Sequence, residues 1–179
     1  MTDERALRIP PRLIRRYGTR NPFSIAEAQN IEVLIRNDFK RQKGAFKVIA
    51  RNSFLFINGN LSDEMQKMVC AHELGHAHLH RTLGMRPEGL LEFELFNITD
   101  QCEYDANAFA AALLLDDREI LEYAHDGYDI VQIARITRTN VNMILLKMIE
   151  MNNQGYHFKL PYTPSRRFLG YIEDGSGDI

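Results

Sequence analysis

The sequence has few cysteines, no tryptophan and almost no net charge, and these shortages exclude whole classes of protein. Of its 179 residues, two are cysteines, and the 22 lysines and arginines nearly balance the 24 aspartates and glutamates. Two cysteines are too few for a disulfide scaffold, so Cys70 and Cys102 are predicted to be reduced thiols that serve as small core residues. A net charge of −2 excludes nucleic-acid binding by a basic field over the whole chain.

Long apolar stretches are also absent from the sequence. No run approaches the ~18 residues that a membrane-spanning helix needs. The first residues lack the apolar core of a signal peptide and contain the pair Pro10-Pro11. The apolar fraction of 45% and the charged fraction of 26% are typical of a globular protein. We therefore expect a soluble cytoplasmic protein with no membrane partner.

The first third of the chain contains an arginine-rich arm followed by strand patterns. Residues 1–20 carry six arginines against two acids, and a short helix is expected after the prolines. Its arginines favour the solvated face of a packing helix over a phosphate or partner contact. Residues 30–37 predict one strand, and 45–59 predict a strand pair with a turn at Arg51-Asn52-Ser53. A small, mostly antiparallel sheet is therefore expected.

Two long helices are predicted after these strands. Ser62 is a good N-cap and two acids follow it, which predicts a helix over about 63–81. A looser region over 82–99 precedes a second helix that begins near Asp100. Together with the strands these helices predict an α+β fold, with the small sheet packed on both helices.

The predicted organisation is one core with two additions. Residues 1–117 are expected to form the core with its basic N-terminal helix. Residues 118–160 are expected to form a helical region packed on that core, and 161–179 an extended tail.

The clearest chemical signature is the segment His72-Glu73-Leu74-Gly75-His76. On a helix, residues i and i+4 lie on one face, so His72 and His76 can both direct a ring nitrogen to one metal ion. Glu73 is offset from that face, where its carboxylate can take a proton from water without ligating the metal. This division of roles is what a zinc hydrolase needs. The alternative is a pair of core histidines beside a surface glutamate.

A catalytic zinc site needs a third protein ligand and an open position. His80 shares the histidine face but lies about 12 Å from His72 along the helix axis, too far to bind the same ion. A carboxylate from the second helix is the remaining option. Glu103 is favoured, because Asn107 follows it on the same face and can support a ligand through a hydrogen bond. The other candidates are Asp105, Glu92, Glu94 and Asp100.

These motifs resemble the ImmA/IrrE family of metallopeptidases, common in phages and integrative elements. The resemblance runs from about Tyr17 to about Leu115 and is carried by the segments 17–34, 54–80 and 103–115. The family pattern is a His-Glu-x-x-His helix followed by a Glu-x-x-Ala-Asn helix. The matching residues here are His72, Glu73, His76, Glu103, Ala106 and Asn107.

The resemblance implies a gluzincin-like zinc endopeptidase that cleaves a protein substrate. In that scheme His72, His76 and Glu103 hold Zn²⁺, and Glu73 is the catalytic base. In mobile-element members the substrate is a helix-turn-helix repressor encoded beside the peptidase, an implication that rests on analogy alone. The strand 54–58 is expected to pair with the substrate backbone. The oxyanion-stabilising residue stays open among His78, His80, Tyr104, His125 and His157.

The C-terminal half supports a competing hypothesis. Residues 127–151 fit two helices joined near Arg138, which resembles a helix-turn-helix with Arg135, Arg138 and Lys147 as phosphate contacts. A plain helical hairpin is favoured over a DNA-binding unit, because acids and not bases precede it. The alternative function is a non-proteolytic, metal-containing regulatory module that binds a repressor or DNA. Glu73 favours the hydrolase, since a structural zinc site is usually closed by four protein ligands.

Overall fold

The computed structural model describes residues 2–85 and 101–160, and these form an α+β fold, which confirms the predicted class. The helices and strands follow one another as α1 (Glu4–Tyr17), α2 (Pro22–Ala28), β1 (Glu32–Arg36), β2 (Gly44–Ile49), β3 (Asn52–Asn58), α3 (Asp63–Leu79), α4 (Arg81–Gly84), α5 (Gln101–Leu114), α6 (Asp117–His125), α7 (Ile130–Ile136) and α8 (Val141–Asn153).

The three strands form one mixed sheet in the order β1-β3-β2. β3 runs antiparallel to β2 and parallel to β1, so only one of its two pairings is of the expected antiparallel kind. The parallel pairing arises because β2 occupies the far edge and β3 returns between the first two strands. Since both edges of β3 are already paired, the prediction that the strand 54–58 adds a substrate strand is wrong. The edge of β2 that faces away from β3 has no strand partner among the described residues.

Helix α1 begins earlier than the prolines suggested and includes both of them. Asp3 caps it by accepting a hydrogen bond from the Arg5 backbone N–H at 2.8 Å. Pro10 is buried in the helix, together with Ala6 and Leu13. Burial of this apolar stripe outweighs the backbone hydrogen bonds that the two prolines remove.

Helices α3 and α5 pack closely against each other, and α3 also packs against β2 and β3 of the sheet. A Cβ added to Gly75 would lie 3.1 Å from the Cα and carbonyl oxygen of Ala106, so the glycine permits this approach. Leu74 and Phe109 are fully buried at the crossing, and Leu55 and Ile57 of β3 belong to the same core.

The C-terminal helices pack on this core as a helical hairpin. α8 contacts α5 and α7, and Ile144 and Leu145 are fully buried. Lys147 is 6% exposed and ion-paired with Asp117, so this cation has no surface position from which to contact a phosphate. α8 is thus a core helix, which argues against its insertion into a DNA groove.

Two predicted regions fall largely or wholly outside the described residues: most of the looser region 82–99 and the tail 161–179. The alternative ligands Glu92, Glu94 and Asp100 also lie outside the described residues. The boundaries at 117 and 160 stay predictions. No helix among the described residues is long and apolar enough to cross a membrane.

Candidate metal centre

Helix α3 carries the histidine motif at the centre of the core. Ser62 caps this helix by accepting a hydrogen bond from the Met65 backbone N–H at 3.3 Å, and Asp63 and Glu64 lie in its first turn. The helix therefore begins where the sequence predicts. Most of its second half is buried, and His72 and His76 are both fully inaccessible to solvent.

Helix α5 brings the third group, Glu103, against these two rings. The Nε2 atoms of His72 and His76 lie 3.0 Å apart. The two oxygens of Glu103 lie 3.2 Å from them, Oε2 from His72 and Oε1 from His76. Among the described residues these three side chains form a buried group whose ligand atoms all lie within 4.8 Å of one another. Two imidazole nitrogens and one carboxylate suit a zinc ion.

Each histidine is oriented by a partner on its other ring nitrogen. His72 Nδ1 lies 2.9 Å from Asn107 Oδ1, and His76 Nδ1 lies 3.0 Å from His80 Nδ1. The amide oxygen can only accept, so His72 carries its proton on Nδ1 and its Nε2 lone pair is left for a metal. In the same tautomer, His76 donates its Nδ1 proton to Nδ1 of His80, which therefore acts as an acceptor. Such outer partners fix the orientation of metal-binding histidines.

The electrostatics of the group reflect close contact between two rings and one carboxylate. Burial raises the pKa of the Glu103 carboxyl, but its contacts with His72 and His76 outweigh this and lower it to about 2. Burial lowers the pKa of His72, but its contacts with Glu103 outweigh that and hold it above the ordinary value. Burial lowers the pKa of His80 to about 4, which keeps this ring neutral and able to accept.

Glu73 is fully buried next to the histidines and lies against the edge strand β2. A Cβ added to Gly44 would lie 2.7 Å from Glu73 Oε1 and 2.5 Å from Val69 Cγ1. Only glycine at this position lets the strand come so close to the carboxylate. Gly44 was not predicted as a site residue, because no local pattern indicates that this residue touches Glu73.

The other sequence candidates have different roles or positions. Asp105 accepts hydrogen bonds from the Asp3 backbone N–H and from Gln101, both at 2.9 Å, and does not belong to the three-residue group. Burial raises the pKa of the Cys70 thiol, as expected for a core residue and not for a thiolate ligand. Cys102 is partly buried.

Of the five oxyanion candidates, only His80 contacts a member of the buried group. His78 hydrogen-bonds to Gln29 at 2.9 Å, and the Tyr104 hydroxyl donates to Glu150 at 2.7 Å. His125 and His157 are exposed. The spacing of four residues between His76 and His80 was the sequence signal for their contact.

Two histidines one turn apart, a carboxylate from a crossing helix and a second carboxylate beside them make up the donor set of a metal-dependent hydrolase. An α+β framework with this donor set is typical of the metallopeptidase class.

Comparison with known proteins agrees with this class. A family model described as Peptidase M78, IrrE N-terminal-like domain, matches residues 26–148. The match covers more than half of the chain and includes β1 to β3, α3 and α5. The chain therefore belongs to this family, which confirms the resemblance to the ImmA/IrrE metallopeptidases.

Two curated relatives are similar to most of the chain. Uncharacterized immunity region protein 2 of Bacillus phage phi105 is 35% identical over 143 residues, which cover 79% of this chain and 89% of that protein. Metallopeptidase ImmA of Bacillus subtilis (strain 168) is 32% identical over 129 residues, covering 68% of this chain and 71% of that protein.

Proposed function

We propose that the protein is a zinc-dependent endopeptidase in which His72, His76 and Glu103 hold the ion and Glu73 is the general base. The observation that carries this proposal is the convergence of two Nε2 atoms and one carboxylate within 3.2 Å, with Glu73 buried on the same helix. Three protein ligands leave a coordination position open, as catalysis requires. When bound, zinc supplies positive charge that acidifies water and polarises a peptide carbonyl.

The residues of this chain then divide the remaining work. Glu73 takes a proton from the attacking water and returns it to the leaving amine. Asn107 and His80 hold the two imidazoles in the tautomer that leaves both Nε2 atoms free to bind. Burial of the group excludes bulk water, which strengthens each of these interactions.

The substrate backbone is proposed to add to the outer edge of β2. This strand has an edge without a strand partner among the described residues, and its first residue, Gly44, touches Glu73. A peptide hydrogen-bonded along the edge would pass beside the base, and main-chain hydrogen bonds would hold it there. Edge addition makes the enzyme an endopeptidase, because it requires no chain terminus.

The substrate is proposed to be a protein regulator, specifically a helix-turn-helix repressor encoded near the peptidase. The support is the relatives: one is named for a phage immunity region and the other is a metallopeptidase. Cytoplasmic location is part of the same proposal, because a repressor is met there.

The test combines metal analysis with cleavage of the neighbouring repressor. Purified full-length protein is expected to contain about one zinc per chain and to cleave the repressor, with cleavage abolished in Glu73→Gln. That variant keeps all three ligands, so its zinc content is expected to be normal. A matched control is Glu64→Gln, an exposed carboxylate on the same helix, which should cleave like the wild type.

Three outcomes would contradict the proposal. If Glu73→Gln cleaves the repressor at the wild-type rate, Glu73 is not the general base. If the wild-type chain holds zinc but cleaves no repressor, the proposed peptidase activity is wrong. Specific binding of the element's promoter DNA without cleavage would instead favour the non-proteolytic regulatory module.

A further inference from the structure

The outer surface of α1 is a continuous arginine face. Its members are all exposed and fall within one sector of the helix at 100° per residue: Arg5, Arg8, Arg12, Arg15 and Arg16. The first 39 residues of the sequence contain no lysine. This choice matters, because the planar guanidinium binds a carboxylate through two parallel hydrogen bonds, which an ammonium group cannot do.

The arginine face keeps an excess of positive charge. Arg5 pairs with Asp3 at 2.7 Å, and Arg8 lies 3.6 Å from Glu4. Arg12 and Arg15 have no ion pair and no side-chain hydrogen bond with any described residue. Two guanidinium groups on this face are therefore available for a partner.

The face starts close to the metal centre and leads away from it. The Asp3 backbone N–H donates to Asp105 at 2.9 Å, and Asp105 follows Glu103 by two residues on α5. Thr2 donates to the buried Glu150 at 2.7 Å, which fixes this end of α1. With 14 residues, α1 extends about 21 Å from there.

A cavity of about 470 Å³ opens beside the arginine face, between α1, α5 and α8. Leu7 and Ile14 line it from α1, Ala112 from α5 and Met151 from α8, and Arg15 belongs both to the lining and to the face. Alanines where α5 passes the cavity leave room for an inserted apolar side chain. The volume lies within the range of pockets that bury an organic group.

We propose that α1 is an exosite for an acidic, amphipathic segment of the protein substrate, with carboxylates on the arginine face and an apolar side chain in the cavity. The inference rests on the proposed function. The exosite would select among protein substrates by their side chains, which main-chain pairing along β2 cannot do. A protein segment is favoured over nucleic acid, because Leu7, Ile14 and Met151 in the cavity lining suit an apolar side chain, which a phosphate backbone does not offer.

The direct test measures binding to the full chain carrying Glu73→Gln and loaded with zinc, which leaves every probe intact. The probes are a fluorescein-labelled peptide of repeated Leu-Glu-Glu triplets about as long as α1, its Leu-Gln-Gln counterpart and a short DNA duplex. Fluorescence anisotropy is expected to show binding of the acidic peptide that weakens with added salt. The glutamine peptide is expected to bind at least about tenfold more weakly.

Two variants identify the surface. Arg12→Glu/Arg15→Glu is expected to raise the Kd of the acidic peptide at least about tenfold. Ala112→Leu, which fills the cavity without changing charge, is expected to raise it several-fold. The matched control is Arg135→Glu/Arg138→Glu, the same charge change at two exposed arginines near the end of α7, which should leave the Kd within about twofold. Thermal unfolding verifies that every variant is folded.

The outcomes separate this inference from the proposed function. Three results would each overturn the exosite. The control variant could lose as much affinity for the acidic peptide as Arg12→Glu/Arg15→Glu does, the glutamine peptide could bind as tightly as the acidic one, or the DNA duplex could bind through Arg12 and Arg15. If Arg12→Glu/Arg15→Glu cleaves the repressor with the wild-type kcat/KM, the exosite is wrong and the proposed peptidase function is supported. If the acidic peptide binds through the arginines but the protein cleaves no substrate, the binding surface is supported and the proposed peptidase function is wrong.

Discussion

His80 shows how one side chain outside the ligand set can control a metal centre. Its Nδ1 lies 3.0 Å from Nδ1 of His76, and His76 is fully buried. Loss of the acceptor at His80 would favour the other tautomer of His76, which places a proton on Nε2. We therefore predict that His80 positions His76 for zinc binding.

Replacing His80 with phenylalanine is predicted to weaken zinc affinity by about 10- to 100-fold. His80→Gln retains an acceptor oxygen and is expected to recover part of the loss. Affinity is measured by competition with a chromophoric chelator, and the Co²⁺-loaded spectra report the ligand geometry. The control is His78→Phe, which changes another partly buried histidine on α3. Equal affinity of His80→Phe and wild type would exclude the positioning role.

Gly44 has a comparable importance for the general base. Gly44→Ala would place a methyl group 2.7 Å from Glu73 Oε1, so the carboxylate must shift. We predict that kcat falls at least about tenfold, since small misplacements of a catalytic group are costly. Zinc content should stay normal, because the three atoms nearest to the added methyl group belong to Val69 and Glu73, neither of which is a proposed ligand. Gly84→Ala is the matched control: its methyl group would meet the Phe46 ring at 2.5 Å and should reduce stability without this loss of kcat.

At the scale of elements, the β2–β3 hairpin contains a strained turn. Ala50 and Arg51 both have positive φ, +49° and +71°, although neither is glycine or asparagine. Two successive positive φ values are typical of the type I′ turn, which matches the twist of the strands and favours Asn-Gly. The sequence analysis placed this turn one residue later, because nothing in Ala50-Arg51 signals a left-handed backbone.

Arg51→Gly is predicted to stabilise the protein by about 1 kcal/mol, since glycine adopts this backbone without a steric penalty. The Arg51 carbonyl, which accepts from Arg81 Nη2 at 2.9 Å, is kept in the variant. The expected rise in Tm is roughly 2–4 °C. Asn52→Gly, at the neighbouring strand position, should instead lower Tm. A lower Tm for Arg51→Gly would mean that the strain is not relieved.

The fold class and the elements that local patterns specify were predicted well, whereas the strand order was not predicted. The Ser62 cap and the spacing of His72 and His76 are local, so the start of α3 and the histidine pair followed from the sequence. Strand order depends on contacts between distant segments, and alternation of side chains does not encode which strand is central. The α1 start was also missed, because Pro10 and Pro11 act against a helix that tertiary packing stabilises.

At the scale of the whole molecule, the near-zero net charge conceals an uneven distribution. The arm over 1–20 is basic, while the chain as a whole carries a charge of −2. The sequence favoured a solvated face for these arginines, and their exposure agrees with that. Their position, starting beside the metal centre and running along a cavity, could not be inferred from composition. A locally basic surface on a weakly acidic protein selects acidic partners without binding nucleic acid indiscriminately.

Removal of the metal is the prediction that concerns the entire fold. A chain of 179 residues buries enough surface to fold without a metal, and the fully buried side chains here include Phe46, Leu74 and Phe109. We therefore predict that 1,10-phenanthroline abolishes cleavage while the far-ultraviolet circular dichroism spectrum stays unchanged. Tm should fall, because zinc no longer stabilises the folded state, but the protein should stay folded at the temperature of the assay.

The control for this experiment is Glu103→Gln, which removes one ligand charge and should behave like the chelated wild type without any chelator. Added zinc should restore both cleavage and the original Tm of the chelated wild type. It should restore neither in Glu103→Gln. The contrary result is cooperative unfolding on chelation. It would mean that the ion holds α3 and α5 together, and that repulsion among Glu73, Glu103 and the rest of the emptied site exceeds what the surrounding core can sustain.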